Sequence, residues 1–216
     1  MKLLLVSDEE ENALWDNYVP GRLSGYDLIL SAGDLKPSYL SFLVTMANKP
    51  LLYVHGNHDG SYERFPPEGC DCIEDSLVTI GGLRIAGLGG SMCYSGERHQ
   101  YTERKMTARI RKLNRAIRKA GGVDVILTHA PIAGLGDGTD LCHRGFSAFE
   151  ELLKEWKPAL FVHGHIHLRY SNRNTRVQQY GGTTVINACG RYAVSLRPAD
   201  VPESRATLEQ HGLILT

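Results

Sequence analysis

The stretch Pro50-Leu51-Leu52-Tyr53-Val54-His55-Gly56-Asn57-His58-Asp59 decides how this chain folds. Its apolar first half predicts a buried strand, and polar side chains follow where that strand ends. Open α/β sheets hold their ligand sites at the carboxyl ends of strands, so these residues indicate a site. Asn57 can offer a carboxamide oxygen to a metal, His58 changes charge near neutral pH, and Asp59 can orient the His58 ring. Taken alone, the Gly-Asn pair is equally typical of a turn.

Short apolar runs alternate with amphipathic stretches along the rest of the chain. The pattern predicts strands over residues 3–6, 27–30, 51–54, 77–80, 83–88, 123–127, 159–162, 177–180, 183–186 and near 192–196. It predicts helices over about 12–18, 37–47, 102–119 and 146–156. Gly-Gly pairs at 81–82 and 181–182 predict two hairpins. Helical crossovers combined with hairpins indicate an α/β fold, with a mixed sheet or two packed sheets and the helices outside.

Composition limits the classes of protein that fit. With 216 residues, 42% of them hydrophobic, the chain can bury one core, so we expect a single domain over 1–216. Its 24 basic and 24 acidic residues give no overall positive field for nucleic acid. The first apolar run stops at Ser7, too short for a signal peptide, and no segment is long enough for a membrane span. Five scattered cysteines argue against a disulfide framework, so a cytoplasmic protein is expected, with its oligomeric state open.

Metal-competent side chains follow five of the predicted strands. Carboxylate oxygens and imidazole nitrogens that converge from rigid elements are what hard and borderline divalent cations require. Each member alone has an ordinary alternative, as a turn residue or a hydrogen-bonded histidine, but their recurrence at five strand ends favours a metal site. The residues, in chain order, are Asp8 and Glu10, then Asp34, then Asn57 with His58 and Asp59, then His129, and finally His163, His165 and His167.

These motifs, in this order, resemble the calcineurin-like metallophosphoesterases, whose signature is Asp-x-His, Gly-Asp, Gly-Asn-His-Asp/Glu, His and Gly-His-x-His. The chain is more similar to the small bacterial and archaeal phosphodiesterase-like members than to the phosphoprotein phosphatases. The resemblance implies a two-sheet sandwich flanked by helices, a four-layer αββα fold, with two divalent metal ions at the sheet edges. It implies that Asp34 bridges both ions, that Asp8 and His167 complete the first position, and that His58 is no ligand. Asn57, His129 and His165 would complete the second position.

The chain departs from that signature at Glu10, where the family has a histidine. A carboxylate there would neutralise more of the metal charge and favour harder ions, so Mn²⁺ is expected, with Mg²⁺, Fe, Ni²⁺ and Zn²⁺ as alternatives. Alternatively Glu10 does not bind, since Glu9 and Glu11 leave the register open and acidic residues also favour a helix N-terminus.

The resemblance implies metal-dependent hydrolysis of a phosphate ester, by a phosphodiesterase or a phosphatase. Hydroxide generated between the two ions would attack phosphorus while His58, oriented by Asp59, protonates the leaving group as general acid. The alternative is a scaffold or binding protein that keeps the fold with weak or no catalysis.

Two loops are candidates for contact with substrate. The first carries Tyr94, Arg98 and His99, and the second carries His143 and Arg144. Residues 104–119 of the predicted helix over 102–119 include eight basic and no acidic residues, which is more typical of a solvated face than of a nucleic-acid surface. The expected partner is therefore a small phosphate-ester substrate, with nucleic acid less favoured and no membrane.

Overall fold

The computed structural model describes residues 1–168 and 175–197, together with the backbone of 214–215. Its strands are β1 (Lys2–Ser7), β2 (Leu28–Ser31), β3 (Leu51–Tyr53), β4 (Asp71–Cys72), β5 (Leu77–Ile80), β6 (Leu83–Leu88), β7 (Ser91–Met92), β8 (Gln100–Tyr101), β9 (Val125–Thr128), β10 (Leu160–His163), β11 (Val177–Tyr180), β12 (Thr183–Asn187), β13 (Gly190–Ser195) and β14 (Ile214–Leu215). Its α-helices are α1 (Pro37–Ala47), α2 (Glu103–Lys119) and α3 (Ala148–Trp156), and two 3-10 helices span Asn12–Leu14 and Asp59–Glu63.

Most of the strands form two mixed sheets of six strands each. The first sheet has the order β14-β13-β1-β2-β3-β4, and its strands β1 to β4 run parallel while β13 is antiparallel to β1. The second has the order β11-β12-β10-β9-β6-β5, with β12, β10, β9 and β6 parallel and a hairpin strand at each edge. The parallel strands of both sheets end near each other, which brings their following loops together.

The two sheets pack face to face, and helices cover their outer faces. Leu5 and Leu30 of the first sheet share one buried cluster with Val125, Leu127 and Val162 of the second. Helix α1 packs on the outer face of the first sheet, and α2 with α3 on that of the second. Parallel strands covered on both faces are expected to carry continuous apolar runs, as β1 does over residues 3–6 and β9 over residues 125–127. The fold is therefore a four-layer αββα sandwich, as the sequence indicated.

Local signals predicted several elements well. Helix α1 has the predicted bounds, with Pro37 in its first turn, where no backbone N–H is needed. Both Gly-Gly hairpins are present, as β5–β6 and β11–β12. Helix α2 begins after Thr102, whose side-chain oxygen accepts a hydrogen bond from the backbone N–H of Lys105. The predicted apolar stripe of α2 is buried: Met106, Ile110, Leu113 and Ile117.

The predicted helix over 12–18 is wrong. Only Asn12–Leu14 is helical, as one 3-10 turn, and turns follow it. A seven-residue helix is too short to be stable without strong packing, and Pro20 and Gly21 end the stretch. Leu14 is nevertheless buried, and the Trp15 ring packs edge-on against Phe42, so the segment still covers α1. Among the described residues, no helix combines the length and the apolar character needed to cross a membrane.

Candidate metal centre

The backbone at the meeting point of the two sheets wraps closely around two carboxylates. A Cβ atom at Gly56 would lie 2.0 Å from Asp34 Oδ1, and one at Gly164 would lie 2.6 Å from Asp8 Oδ2. Both carboxylate oxygens of Asp8 accept from the backbone N–H of His165, each at 3.0 Å. The glycines of the Gly-Asn-His-Asp and Gly-His-x-His motifs therefore serve close packing, because any side chain there would displace a carboxylate.

Four of the expected donors converge around His129. The ligand atoms of Asp34, His129 and His165 lie within 4.8 Å of one another. His129 Nε2 lies 2.9 Å from Asn57 Oδ1 and 3.4 Å from Asp34 Oδ2. His129 Nδ1 donates to the carbonyl of Ala32 at 2.7 Å, which holds the ring so that Nε2 faces the other donors.

The charges at this point are strongly coupled. Burial opposes ionisation of Asp34, but neighbouring His129 outweighs it and lowers the pKa of that carboxyl. Burial also opposes charge on His129, yet the carboxylates of Asp34 and Asp8 raise the pKa of the ring to about 9. Burial lowers the pKa of His165 to about 3 and raises that of Asp8. A protonated His129 ring therefore balances the negative charge of Asp34 and Asp8. A cation bound at the same place would balance that charge instead.

A second group of donors lies around His167. Its Nδ1 is 3.1 Å from Glu9 Oε1, and the ligand atoms of Glu9, His167 and Cys189 lie within 4.8 Å of one another. Asp8 is close enough to interact electrostatically with both His167 and His129, so it lies between the two groups.

Three of the candidate donors have backbone conformations that residues other than glycine seldom adopt. The φ angles of Asp8, Asp34 and His165 are 60°, 56° and 67°, in the left-handed region. Such residues cost about 1–3 kcal/mol each and concentrate at functional sites. In addition, the Ser7 hydroxyl beside Gly164 is buried and has no hydrogen-bond partner among the described residues. The donor types, the close packing and this strain all fit a site for divalent cations.

A family model for the calcineurin-like phosphoesterase superfamily domain matches residues 1–197. The chain belongs to this superfamily. Metal-dependent hydrolysis of phosphate esters is the general activity of the superfamily, typically with a dinuclear metal centre. The resemblance stated from the motifs is therefore confirmed.

Solved structures share the superfamily fold at low sequence identity. One superposes with a TM-score of 0.65 and 14% identity, over 89% of this chain and 93% of its own. TT1561 of Thermus thermophilus has a TM-score of 0.56 and 16% identity, over 88% of this chain and 89% of its own. Vps29 of Chaetomium thermophilum has a TM-score of 0.43 and 14% identity, over 91% of this chain and 82% of its own. A search of curated proteins finds no match. At these identities the likeness to the first two structures shows the fold alone.

Glu10, at the position of the superfamily histidine, lies on the rim of the centre. It lines an open cavity together with Asp8, Asp34 and His58. Its carboxylate accepts from the Lys36 backbone N–H at 3.4 Å and pairs with Lys36 Nζ at 3.2 Å. The structure therefore brings Glu10 to the cavity but directs its carboxylate toward a lysine.

His58 and Asp59 do not form the expected pair. The backbone N–H of His58 donates to Asp34 Oδ1 at 2.8 Å, and its exposed side chain faces the cavity. Asp59 Oδ2 instead accepts from the backbone N–H groups of Gly56 at 2.7 Å and Asp34 at 2.9 Å. No hydrogen bond joins it to the His58 ring in the described part of the chain. Because Asp59 begins a 3-10 helix, its carboxylate turns back onto the strand ends, where burial and the charge of Asp34 raise its pKa to about 6.

In the first candidate substrate loop, only some residues reach the centre. Tyr94 Oη accepts from Asn57 Nδ2 at 3.1 Å. Arg98 lines a cavity with Asn57 and His58, although its guanidinium pairs with Glu63. His99 points elsewhere, because its ring stacks on His55 with centroids 4.4 Å apart.

The second candidate loop lies beside His165. The His143 ring centroid is 5.5 Å from that of His165, and His143 Nδ1 is 2.9 Å from Asp140 Oδ1. Arg144 is exposed, and its side chain makes no hydrogen bond or ion pair within the described ranges. The backbone carbonyl of Cys142 accepts a hydrogen bond from His165 Nε2 at 2.6 Å. In the neutral ring, Nδ1 therefore carries no proton and is the nitrogen that can bind a metal ion.

Sequence reasoning missed a partly buried ionic network behind the Asn57 loop. Glu74 Oε2 lies 2.5 Å from His55 Nδ1, and Glu74 Oε1 accepts from Arg109 Nη2 at 2.6 Å. Arg109 also pairs with Asp75 and donates to the carbonyl of Gly89. No local sequence pattern predicts this network, because its members are far apart in the chain. The packing of α2 on β6 brings them together. His163 is buried, and its Nδ1 lies 2.9 Å from the carbonyl of Gly164.

Proposed function

We propose that this protein hydrolyses phosphate esters at the centre described above, with two divalent cations as cofactors. The observation that carries the proposal is the convergence of carboxylate, amide and imidazole donors from both sheets around His129. Membership of the superfamily supports the same chemistry. A buried set of this kind is costly unless its charges are balanced, which an ion does.

The donors divide between two ion positions. Asp34 would be shared, Asp8 and His167 would belong to the first position, and Asn57, His129 and His165 to the second. Glu10 is the candidate for a further donor at the first position, for which its carboxylate has to leave Lys36. When bound, such ions supply hydroxide at neutral pH and neutralise charge on the phosphoryl oxygens. The preference for Mn²⁺ that the sequence predicts depends on Glu10 as a ligand, and it does not hold if Glu10 stays paired with Lys36.

His58 is the proposed general acid. Its backbone N–H is anchored on Asp34, so its position follows that of the shared carboxylate. Its side chain is exposed to the cavity and free to approach the leaving-group oxygen of a bound ester. Asp59 supports this placement through the backbone, since its carboxylate holds the N–H groups of Gly56 and Asp34 together.

The substrate is proposed to be a small phosphate ester. The cavity beside the donors is open and of about 410 Å³, which suits a small ligand. Arg98 lines a neighbouring cavity with Asn57 and His58, Tyr94 contacts Asn57, and the His143 ring lies beside that of His165. The proposed substrate contacts are Tyr94, Arg98, His143 and Arg144. His99 would act only indirectly, through its stacking on His55.

An assay of purified protein tests the proposal. An aryl phosphodiester and an aryl phosphomonoester are each offered with Mn²⁺, Mg²⁺, Ni²⁺ or Zn²⁺ after chelation of existing metal. We expect hydrolysis of at least one ester that depends on added metal and is lost in Asp34→Asn. Asp16→Asn is the matched control and should retain it, because Asp16 is exposed and its side chain makes no hydrogen bond or ion pair with the described residues. No hydrolysis with any metal, alongside tight binding to another protein, would favour a scaffold instead.

A further inference from the structure

The group formed by Glu9, His167 and Cys189 contains a thiol, whereas the donors around His129 provide only oxygen and nitrogen atoms. Glu9 Oε1 is 3.1 Å from His167 Nδ1, and Cys189 Sγ lies within 4.8 Å of a ligand atom of each. A tetrahedral zinc ion with sulfur and nitrogen ligands separates its donors by about 3.3–3.8 Å, so a small contraction would close the group on an ion. Glu9 and His167 are about one-third exposed, which leaves a route for entry, while Cys189 is 3% exposed.

The fold itself brings Cys189 to this point. Cys189 lies between β12 and β13, where its backbone N–H donates to Asn187 Oδ1 at 2.9 Å. It forms a parallel bridge with Ser7, the residue before Asp8. The thiol is therefore held at the end of β1, beside the first ion position, by strand pairing between distant parts of the chain.

The three consecutive acidic residues differ in what they contact. Glu10 pairs with Lys36, and the Glu11 carboxylate pairs with Arg191 at 3.6 Å. Glu9 is the one of the three whose carboxylate lies beside His167. Glu9 therefore belongs to this group through its carboxylate, whereas the carboxylates of Glu10 and Glu11 are paired with basic side chains.

We propose that Glu9, His167 and Cys189 bind the first cation together, so that this position takes zinc-class ions such as Zn²⁺, Co²⁺ or Fe²⁺. Thiolate sulfur binds these borderline ions far better than Mg²⁺ or Mn²⁺, which prefer oxygen. On binding, the Cys189 thiol releases its proton to the solvent and the sulfur bonds to the ion. This inference rests on the proposed metal-binding function but concerns only which atoms hold the ion.

Cobalt substitution tests the inference without any measurement of activity. Chelated protein is titrated with Co²⁺, and the near-ultraviolet charge-transfer absorption of a cobalt–thiolate bond is recorded. We expect the band in the wild-type protein and its loss in Cys189→Ser. Cys72→Ser and Cys142→Ser are the matched controls, because each removes a thiol from another His/Cys/carboxylate group, and both should retain the band.

The acidic residues provide the second arm of the test. Glu9→Gln should weaken Co²⁺ binding at least tenfold, whereas Glu11→Gln, which removes a carboxylate paired with Arg191, should leave the Co²⁺ affinity unchanged. A band that survives in Cys189→Ser and disappears in Cys72→Ser or Cys142→Ser would overturn the assignment, as would a wild-type protein that binds Co²⁺ without the band. If Cys189→Ser does not fold, X-ray absorption of zinc-loaded wild-type protein decides, by the presence or absence of sulfur at about 2.3 Å. A protein with the band but no hydrolysis would refute the proposed activity and leave this inference standing.

Discussion

Replacing Gly56 by alanine should impair metal binding and hydrolysis at the centre. The cause would be a steric clash with Asp34, since the backbone conformation at residue 56 is one that alanine can adopt. The φ angle of Gly56 is not in the left-handed region, so alanine can adopt the local backbone. The added Cβ would lie 2.0 Å from Asp34 Oδ1, whereas ordinary contacts begin at 3.4 Å. The carboxylate or the backbone must therefore move by about 1.4 Å. Metal–ligand distances tolerate only about 0.2 Å, so the shared carboxylate would no longer fit both ions.

Three measurements follow from that displacement. Overpacking of this kind costs about 1–3 kcal/mol in the free energy of unfolding, measured by urea denaturation of chelated protein. Misplacement of a reacting group by about 1 Å costs on the order of 100-fold in kcat/KM, measured with the aryl ester that the wild type hydrolyses. Titration calorimetry should show fewer than two bound ions, because the displaced Asp34 carboxylate would no longer reach both of them. The backbone of His58, which donates to Asp34, should move with it.

Gly25→Ala is the matched control for this substitution. A Cβ at Gly25 meets no atom within 4 Å, and its φ is not in the left-handed region. We expect this variant to match the wild type in unfolding, metal content and kcat/KM. If Gly56→Ala also bound two ions and kept wild-type kcat/KM, Asp34 would not be a shared ligand held against Gly56.

Further predictions address the acid, the ions and the ionic network. His58→Asn should lower kcat about 100-fold or more for a phenyl ester and less for a nitrophenyl ester, with metal content unchanged; loss of metal would make His58 structural. Chelation should lower the free energy of unfolding by about 2.7 kcal/mol per site relative to protein in metal at 100 times Kd, and equal midpoints with and without metal would contradict this. Glu74→Ala should lower the free energy of unfolding by about 2 kcal/mol, because it leaves the partly buried His55 and Arg109 without their carboxylate. The exposed Glu68→Ala should change stability by less than about 0.5 kcal/mol, and a similar loss in both variants would count against the network.

Elements with strong local signals could be predicted from the sequence. The apolar stripe of α2 repeats with helical period, and the Gly-Gly pairs end two strands at defined turns. The two-residue strands β4, β7 and β8 could not be predicted, since two residues carry no measurable period. The 12–18 segment misled for a related reason: its apolar residues are buried by α1 without forming a helix of their own.

The strand-end donors could be predicted because parallel strands deliver whatever follows them to one edge of a sheet. That argument brings Asp34, Asn57 and His129 together, and the structure agrees. The strand-end argument does not predict the direction in which a neighbouring side chain points or the partner that it binds. Asp59 binds backbone N–H groups, and Glu10 pairs with Lys36. The bond from Asp34 to Asp59 and the pairing of Lys36 with Glu10 each join residues more than 20 positions apart, which no local pattern encodes.

The donors come from both sheets, and this has a consequence for how the protein unfolds. Asp34 and Asn57 follow strands of the first sheet, while His129 and His165 follow strands of the second. An ion held by all four clamps one layer of the sandwich to the other, and separating the layers destroys its site. Bound metal should therefore make unfolding more cooperative, and tight ion uptake during refolding should wait until the two layers have docked.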